Sequence, residues 1–206
     1  MIDIYITETL NNGSDYLNLL SQESTNRISA YSSKKSQAQM VTGDLLLKTA
    51  LKKEGFQNIK VVYTPKLMLE GNPCYISKSH SFNYVMVVIA NENIGCDIEL
   101  IRSVDIKKRV LSDSELDKLN EMENKEVGFM RYWTAKEAYI KYHGGLIKPY
   151  KDIEFKIAHQ EASIWYGTID DLYCYQMAFN GYVISTITKS VKHINFNYIT
   201  KEELIK

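Results

Sequence analysis

The chain has 206 residues, 45% hydrophobic and 11% aromatic, which suffices for a buried core and excludes a disordered chain. Its 25 basic and 25 acidic residues cancel, so the whole molecule offers no net field to nucleic acid or a membrane surface. The three cysteines, Cys74, Cys96 and Cys174, lack CxxC spacing and sit among apolar neighbours, which reads as buried free thiols of a reducing compartment rather than a disulfide framework or zinc site.

At the N-terminus Ile2, Ile4 and Ile6 alternate with polar residues, predicting a half-buried strand. No basic block precedes an apolar run there, so the segment does not read as a signal peptide, and no apolar run is long enough to span a bilayer. A cytoplasmic protein is expected. From about Lys34 to Glu54, Ala38, Val41 and Leu45 recur at helical spacing, with Gly55 as C-cap. "IKVVYT" predicts a short strand and "LEGNP" a turn. "YVMVVIA" (84–90) predicts a central buried strand, from which "NEN" turns the chain into "IGCDIEL" (94–100), making a hairpin. Beyond Leu100, Ser112 and Glu115 have capping-box spacing, and a second long helix is expected from about Gly128 to His143, ending at Gly144–Gly145. From Ile153 to Thr200 five short strands are expected, "IEFKIA", "ASIWYGTI", "YCYQMAF", "YVISTIT" and "INFNYI". The order is an α+β pattern, with no regular βαβ winding. A faint internal echo links "VTGDLLLKTAL" (41–51) to "WTAKEAYIKYH" (133–143): each has Thr, then an acid, then Lys four residues after the acid.

Charge is spread unevenly. Residues 27–80 hold nine Lys or Arg against three acids, and residues 91–126 hold ten acids against six bases. The division suits an anionic ligand held together with a cation, and equally the solvated faces of ordinary helices. Three short stretches have residues for chemistry. In "IGCDIEL" strand alternation turns Gly95, Asp97 and Glu99 to one face, with the two acids roughly 7 Å apart, while Cys96 turns to the core. That is suitable geometry for two ligands of a hard cation such as Mg²⁺, or simply a wet strand face. Gly95 leaves room for a ligand or another backbone. In "FMRYWTAKEAYIKYHGG" Phe129, Trp133, Glu137 and Lys141 recur at steps of four, which describes either a charged pair at a cleft edge or an ordinary helix pair. In "SKSHS" (77–81) His80 and the serines could hydrogen-bond a phosphate or merely form a turn. No phosphate-binding GxxxxGK[ST] loop, GxGxxG, HExxH or GxSxG is present.

Taken in order, "SHS", "IGCDIE" and "WTAKEAYIK" followed by Gly-Gly resemble the 4'-phosphopantetheinyl transferase superfamily. Its signature is a hydrophobic-Gly-x-Asp-x-Glu strand, then W-x-x-K-E-A-x-x-K on a helix some forty residues on. Here 40 residues separate Asp97 from Glu137. The length resembles the longer, monomeric class that activates nonribosomal peptide and polyketide synthases, named after the surfactin-synthetase activator. The resemblance implies two similar α+β halves forming a pseudo-dimer, each with a small antiparallel sheet packed on a long helix. Residues 1–100 would be the coenzyme A phosphate side, residues 101–206 would carry the "WTAKEAYIK" helix, and the active site would lie in the cleft between them.

The implied reaction moves the phosphopantetheine arm of coenzyme A onto a serine of an apo carrier protein and releases adenosine 3',5'-bisphosphate. By match to the motif, Asp97, Glu99 and Glu137 would hold Mg²⁺ against the pyrophosphate, and Lys141 would reach a phosphate oxygen or help the leaving group. Glu137 or a metal-bound water would take the serine proton. Ser79 and His80 fall where the family contacts the nucleotide phosphates, and Arg27 falls in the early basic segment that binds the 3'-phosphate. The chain departs from the pattern at Ala30, Gln39, Asn72, and Ser77 with Lys78, all on the nucleotide side; Lys34, Lys35 or Lys78 are candidates to compensate. Two other readings stand beside this one. One is a non-catalytic module of the same fold that binds coenzyme A or a carrier protein. The other is a metal-dependent phosphohydrolase on an unrelated fold.

Overall fold

The computed structural model describes residues 1–57, 59–63, 67–71, 73–105, 107–161 and 164–206, so the departure at Asn72 lies outside the described residues. The alternating N-terminus forms β1 (Ile2–Glu8), and a 3-10 turn at Gly13–Leu19 leads to α1 (Gln22–Ser29) and α2 (Lys34–Lys53). Ser33 caps α2 by accepting from the Ser36 amide. The helix ends at Gly55, whose φ of +82° lets the Phe56 amide reach back to the Leu51 carbonyl. Short β2 (Val61–Val62) and β3 (Met68–Leu69) pair with each other, and β4 (Tyr75–Ser81), β5 (Tyr84–Ala90) and β6 (Ile94–Leu100) follow. Next come α3 (Lys107–Val110), α4 (Asp113–Glu121) and α5 (Lys125–His143). A 3-10 turn at Tyr150–Asp152 precedes β7 (Lys156–Glu161), β8 (Ile164–Ile169), β9 (Leu172–Phe179), β10 (Tyr182–Thr188), β11 (Ile194–Tyr198) and α6 (Lys201–Leu204). The Ser112–Glu115 capping box is present, and α5 stops at Gly144, φ +78°, as its sequence predicts.

Two sheets face each other, and each carries one long helix on its outer side, an α+β architecture. The first sheet, β11-β1-β5-β4, is mixed because β11 runs parallel to β1; the second, β6-β10-β9-β8-β7, is antiparallel throughout. Alternation supplies both faces of every central strand. Val85, Val87 and Ile89 of β5 pack outward against Val41, Leu45 and Leu46 of α2. Met86 and Val88 turn inward with Ile2, Ile4 and Ile6, and meet Cys96, Ile98 and Ile184 of the second sheet. On the far side Val183 and Ile187 pack against Phe129, Tyr132 and Ala135 of α5. Each fully buried aliphatic side chain contributes about 1.5–3 kcal/mol to this layering.

The hairpin expected from residues 84–100 does not form. Both edges of β5 are taken, by β1 and by β4, so the turn at residues 91–93 carries the chain into the second sheet, where β6 pairs with β10. Thus β6 stands in the second sheet and C-terminal β11 completes the first, so the sheets do not divide at residue 100. "SKSHS" is strand β4 rather than a turn. Among the described residues β4 and β6 share no backbone ladder, yet they run side by side, joined through serines. Ser77 Oγ accepts from the Cys96 amide at 3.1 Å, and Ser81 Oγ accepts from the Leu100 amide at 3.3 Å. No helix of the described residues is long and apolar enough to cross a membrane.

Candidate active site

A Cβ on Gly95 would stand 2.0 Å from the Ala138 carbonyl oxygen and 2.5 Å from the Tyr142 amide nitrogen. Only glycine lets the backbone of α5 rest on β6 at that point. The room left by Gly95 is therefore filled by a second backbone, and this approach brings Lys141 to Asp97. Lys141 Nζ lies 2.7 Å from Asp97 Oδ1 and 2.7 Å from Ser79 Oγ, while the Ser79 hydroxyl donates to the same Asp97 oxygen at 2.6 Å. Asp97 Oδ2 is buried without a hydrogen-bond partner among the described residues. Leaving such a group unpaired costs about 1–3 kcal/mol or more, so this oxygen is a standing demand for a cation or donor.

Glu99 accepts from the Ser81 hydroxyl at 2.7 Å, and the nearby Trp133 side chain favours its charged form. Glu137 accepts from the Tyr150 phenol, whose ring stacks on Trp133 with centroids 5.7 Å apart and planes 3° apart. Burial raises the pKa of both glutamates above the ordinary carboxylate range, and the charge of Asp97 adds to both rises. Lys141 moves the other way in charge terms: burial opposes its ammonium, but the charge and hydrogen bond of Asp97 lead the effects that outweigh it, and its pKa ends raised. Burial pushes the Cys96 thiol up to about 11, in keeping with its inward direction and against a nucleophilic role. Asp97 is near enough to both glutamates to shift them. Among the described residues, however, no three acidic, histidine or cysteine side chains converge into a closed metal cage. Hard oxygen donors, one of them orphaned, still fit Mg²⁺, which keeps several waters and commonly takes only one or two carboxylates besides substrate phosphates.

Beside Lys141 opens a cavity of about 380 Å³ lined by Arg27, Tyr63, Ser77, Lys78, Ile140 and Lys141. Two of its cations, Arg27 and Lys78, are held by one buried acid that sequence reasoning did not single out as a site residue. Asp44 Oδ2 takes Arg27 Nη2 at 2.5 Å, and Asp44 Oδ1 takes Lys78 Nζ at 2.7 Å and the Tyr63 hydroxyl at 3.0 Å. Burial raises the Asp44 pKa, but Lys78 first and then Arg27 outweigh burial and hold it below the usual range. The Arg27 guanidinium also lies 4.0 Å from the centre of the Tyr63 ring. His80 is exposed, and its pKa is lowered by desolvation first, then by Lys141 and Lys78, so it is neutral at physiological pH.

Asp97, Glu99, Glu137, Lys141 and Ser79 thus come together, His80 borders them, and Arg27 stands across the cavity from Lys141. Ser79 spends its hydroxyl on Asp97 and Lys141 and so orients the acid. Of the departures, Gln39 is buried and donates to the Phe82 carbonyl at 3.0 Å, and Ala30 is the C-cap of α1. Lys78 adds a cation to the cavity. The signal for Asp44 lay in the "VTGDLLLK" echo, and the signal for three serines on one edge lay in the alternation of "SKSHS". Tyr150 had none.

Residues 93–187 match the family model described as the 4'-phosphopantetheinyl transferase superfamily. The chain is 34% identical over 82 residues to 4'-phosphopantetheinyl transferase AcpT of Salmonella typhi, covering 36% of this chain and 43% of that protein. It is 33% identical over 90 residues to 4'-phosphopantetheinyl transferase HetI of a Nostoc species, covering 40% of this chain and 38% of that one. The matches therefore span less than half the length of these curated relatives. The Thermotoga maritima holo-[acyl-carrier-protein] synthase structure aligns over 46% of this chain and 61% of its own, at 15% identity and a TM-score of 0.38. Residues 93–187, which hold the Asp97 strand and the Glu137 helix, are thus similar to the 4'-phosphopantetheinyl transferase superfamily over a little under half of the chain.

Proposed function

We propose that the protein transfers the 4'-phosphopantetheine arm of coenzyme A to a serine of an apo acyl or peptidyl carrier protein and releases adenosine 3',5'-bisphosphate. The observation that carries this reading is the open Lys141–Asp97 pair, with Asp97 Oδ2 unpartnered beside two raised glutamates and a cation-lined cavity. Arg27 and Lys78, held in place by Asp44, bind the nucleotide phosphates in the cavity, and exposed His80 reaches them from the border of the site. Lys141 aims its ammonium at the pyrophosphate and steadies charge on the leaving nucleotide. Asp97, Glu99 and Glu137 would hold Mg²⁺. When bound, the ion supplies charge neutralisation for the bridging phosphates.

Glu137 takes the proton of the carrier serine. The serine oxygen then bonds to the phosphorus of the arm as that phosphorus loses its bond to the nucleotide oxygen. Most of the rate comes from positioning and charge. We further propose that the protein acts as a cytoplasmic monomer on carriers of nonribosomal peptide or polyketide synthesis, without nucleic acid or membrane partners.

The test is purified protein with Mg²⁺, coenzyme A and a panel of fatty-acid, polyketide and peptide apo carriers, read by the mass of the carrier. Gain of the arm's mass is expected. Coenzyme A bound without turnover on any carrier would instead identify a binding module, and phosphoester hydrolysis without a carrier would identify a hydrolase.

A further inference from the structure

Strand β4 is an ordered ruler across the site. Ser77 and Lys78 lie at the cavity, Ser79 binds Asp97, Ser81 binds Glu99, and Phe82 follows at the hairpin tip. At about 3.3 Å per residue, Phe82 stands roughly 13 Å beyond Lys78 on the opposite side of the carboxylates. Phe82 is unusual in three ways. It adopts φ 48° in the left-handed region, which costs a bulky residue of order 1–3 kcal/mol. The residue is 38% exposed although its carbonyl is tied to buried Gln39. Two cations also flank the ring, Lys35 Nζ at 4.5 Å and the Arg102 guanidinium carbon at 5.5 Å from its centre.

Among the described residues neither cation has an ion pair. Lys34 and Lys35 open α2 with no acid in its first turn, against the helix dipole, which favours acids there. The exposed Phe82 ring thus gathers two cations at a strained turn, and one of them, Arg102, stands near enough to Glu99 for its charge to act on that carboxylate.

We infer that Phe82, Lys35 and Arg102 form the surface on which the carrier protein docks. The inference rests on the transferase reading above, through the geometry of phosphoryl transfer. The attacking and leaving oxygens lie roughly in line on opposite sides of the phosphorus. With the leaving nucleotide at Arg27 and Lys78, the serine arrives from the Glu99 end, where this patch stands. The partner surface it fits has an apolar side chain for the Phe82 ring and carboxylates on either side for Lys35 and Arg102.

The experiment is steady-state transfer with apo carrier and coenzyme A varied separately, on wild type, on the K35E/R102E double variant, and on F82G. Glycine accepts the left-handed backbone, so F82G removes the ring without adding strain. Expected is a tenfold or greater rise in KM for the carrier in both variants, with KM for coenzyme A unchanged. The salt dependence of the carrier KM should also flatten in K35E/R102E. An unchanged carrier KM in active variants overturns the docking surface and leaves the transferase reading standing. An equal rise in KM for coenzyme A overturns it too, because the patch would then serve the nucleotide. A wild type that modifies no carrier in the panel sinks both.

Discussion

Two lysines on α5, five residues apart, each pair with a carboxylate, and they do opposite work. Lys136 and Glu115 are sealed, with side chains 0% and 1% exposed, and every donor direction of the ammonium is used: Glu115 at 2.6 Å, the Val110 carbonyl at 2.9 Å and the Tyr150 carbonyl at 2.9 Å. Glu115 in turn takes the Ser112 and Phe155 amides, each at 2.9 Å. Lys141 and Asp97 are lopsided, with side chains 31% and 5% exposed and one aspartate oxygen left over. A buried pair with complete hydrogen bonding locks geometry, here the end of α3, the cap of α4 and the turn at Tyr150. A pair with one buried oxygen unmet keeps capacity for something else. Completeness, more than burial, separates the structural pair from the one proposed to act in transfer.

The strongest way to break the comparison is to remove each lysine in turn. Lys136→Met strands Glu115 as an unpaired buried charge and is expected to cost about 3–5 kcal/mol in a urea titration. Lys141→Met is expected to cost less, and Mg²⁺ should recover the loss by taking the place of the ammonium beside Asp97. If the two losses were equal and blind to Mg²⁺, the distinction between the pairs would collapse. Next in size, Asp97→Asn keeps the shape and removes the charge. Transfer should fall about 10²–10³-fold, in line with losing one electrostatic group of an active site, and the melting temperature should drop, because the Lys141 ammonium loses the charge that offsets its burial. A variant that keeps full transfer would remove Asp97 from the machinery.

How far the sequence could show this depended on whether the signal was local. Capping at Ser112 and Gly144, the strand at β6 and the inward turn of Cys96 are decided within a few residues, and each was legible. β1 is a strand as expected but is buried on both faces instead of one, because α2 packs on its Tyr5 side and the second sheet on its Ile4 side. The pairing of β6 was not, because it depends on β1 claiming the free edge of β5 across some eighty residues of chain. Among site residues, Asp97, Glu137 and Lys141 were readable because strand and helix periods set their directions. Asp44 looked like one more helix acid, since its partners Arg27, Tyr63 and Lys78 come from three other segments. Lys78 replaced an expected apolar residue, and Gly43 explains how it fits: a Cβ there would lie 3.1 Å from the Lys78 Cδ.

A gentler probe is pH. Burial raises Glu99 and Glu137 above their unfolded values. The stability linked to their protonated forms is therefore fully present below the ordinary glutamate pKa and lost as pH rises through the raised one. Metal-free protein should lose stability from mildly acidic to neutral pH, and Mg²⁺ should restore it on the neutral side alone. For a chain of this size each kcal/mol corresponds to about 2–4 °C in a thermal melt. Asp44 works in the opposite sense, its contribution being present above the ordinary aspartate pKa and lost as pH falls through its lowered value. A Mg²⁺ gain of the same size at both pH values would mean that the glutamates do not meet the ion.

The smallest expected effect tests where the sealed pair touches the open one. Lys136 holds the Tyr150 carbonyl, the Tyr150 ring lies flat on Trp133, and the Tyr150 phenol donates to Glu137. The structural lysine thus reaches the site through one tyrosine. Tyr150→Phe keeps the stack and deletes the hydrogen bond, a change worth about 0.5–1.5 kcal/mol, so kcat should drop by about tenfold at most. KM for coenzyme A should hold, because the nucleotide cations are untouched, and the Mg²⁺ concentration giving half-maximal transfer should rise. Since the variant leaves the Lys136 bond to the backbone in place, the melting temperature should barely move. A large fall in melting temperature without a change in Mg²⁺ dependence would assign Tyr150 to the sealed pair alone, and Glu137 would then owe its position to α5 itself.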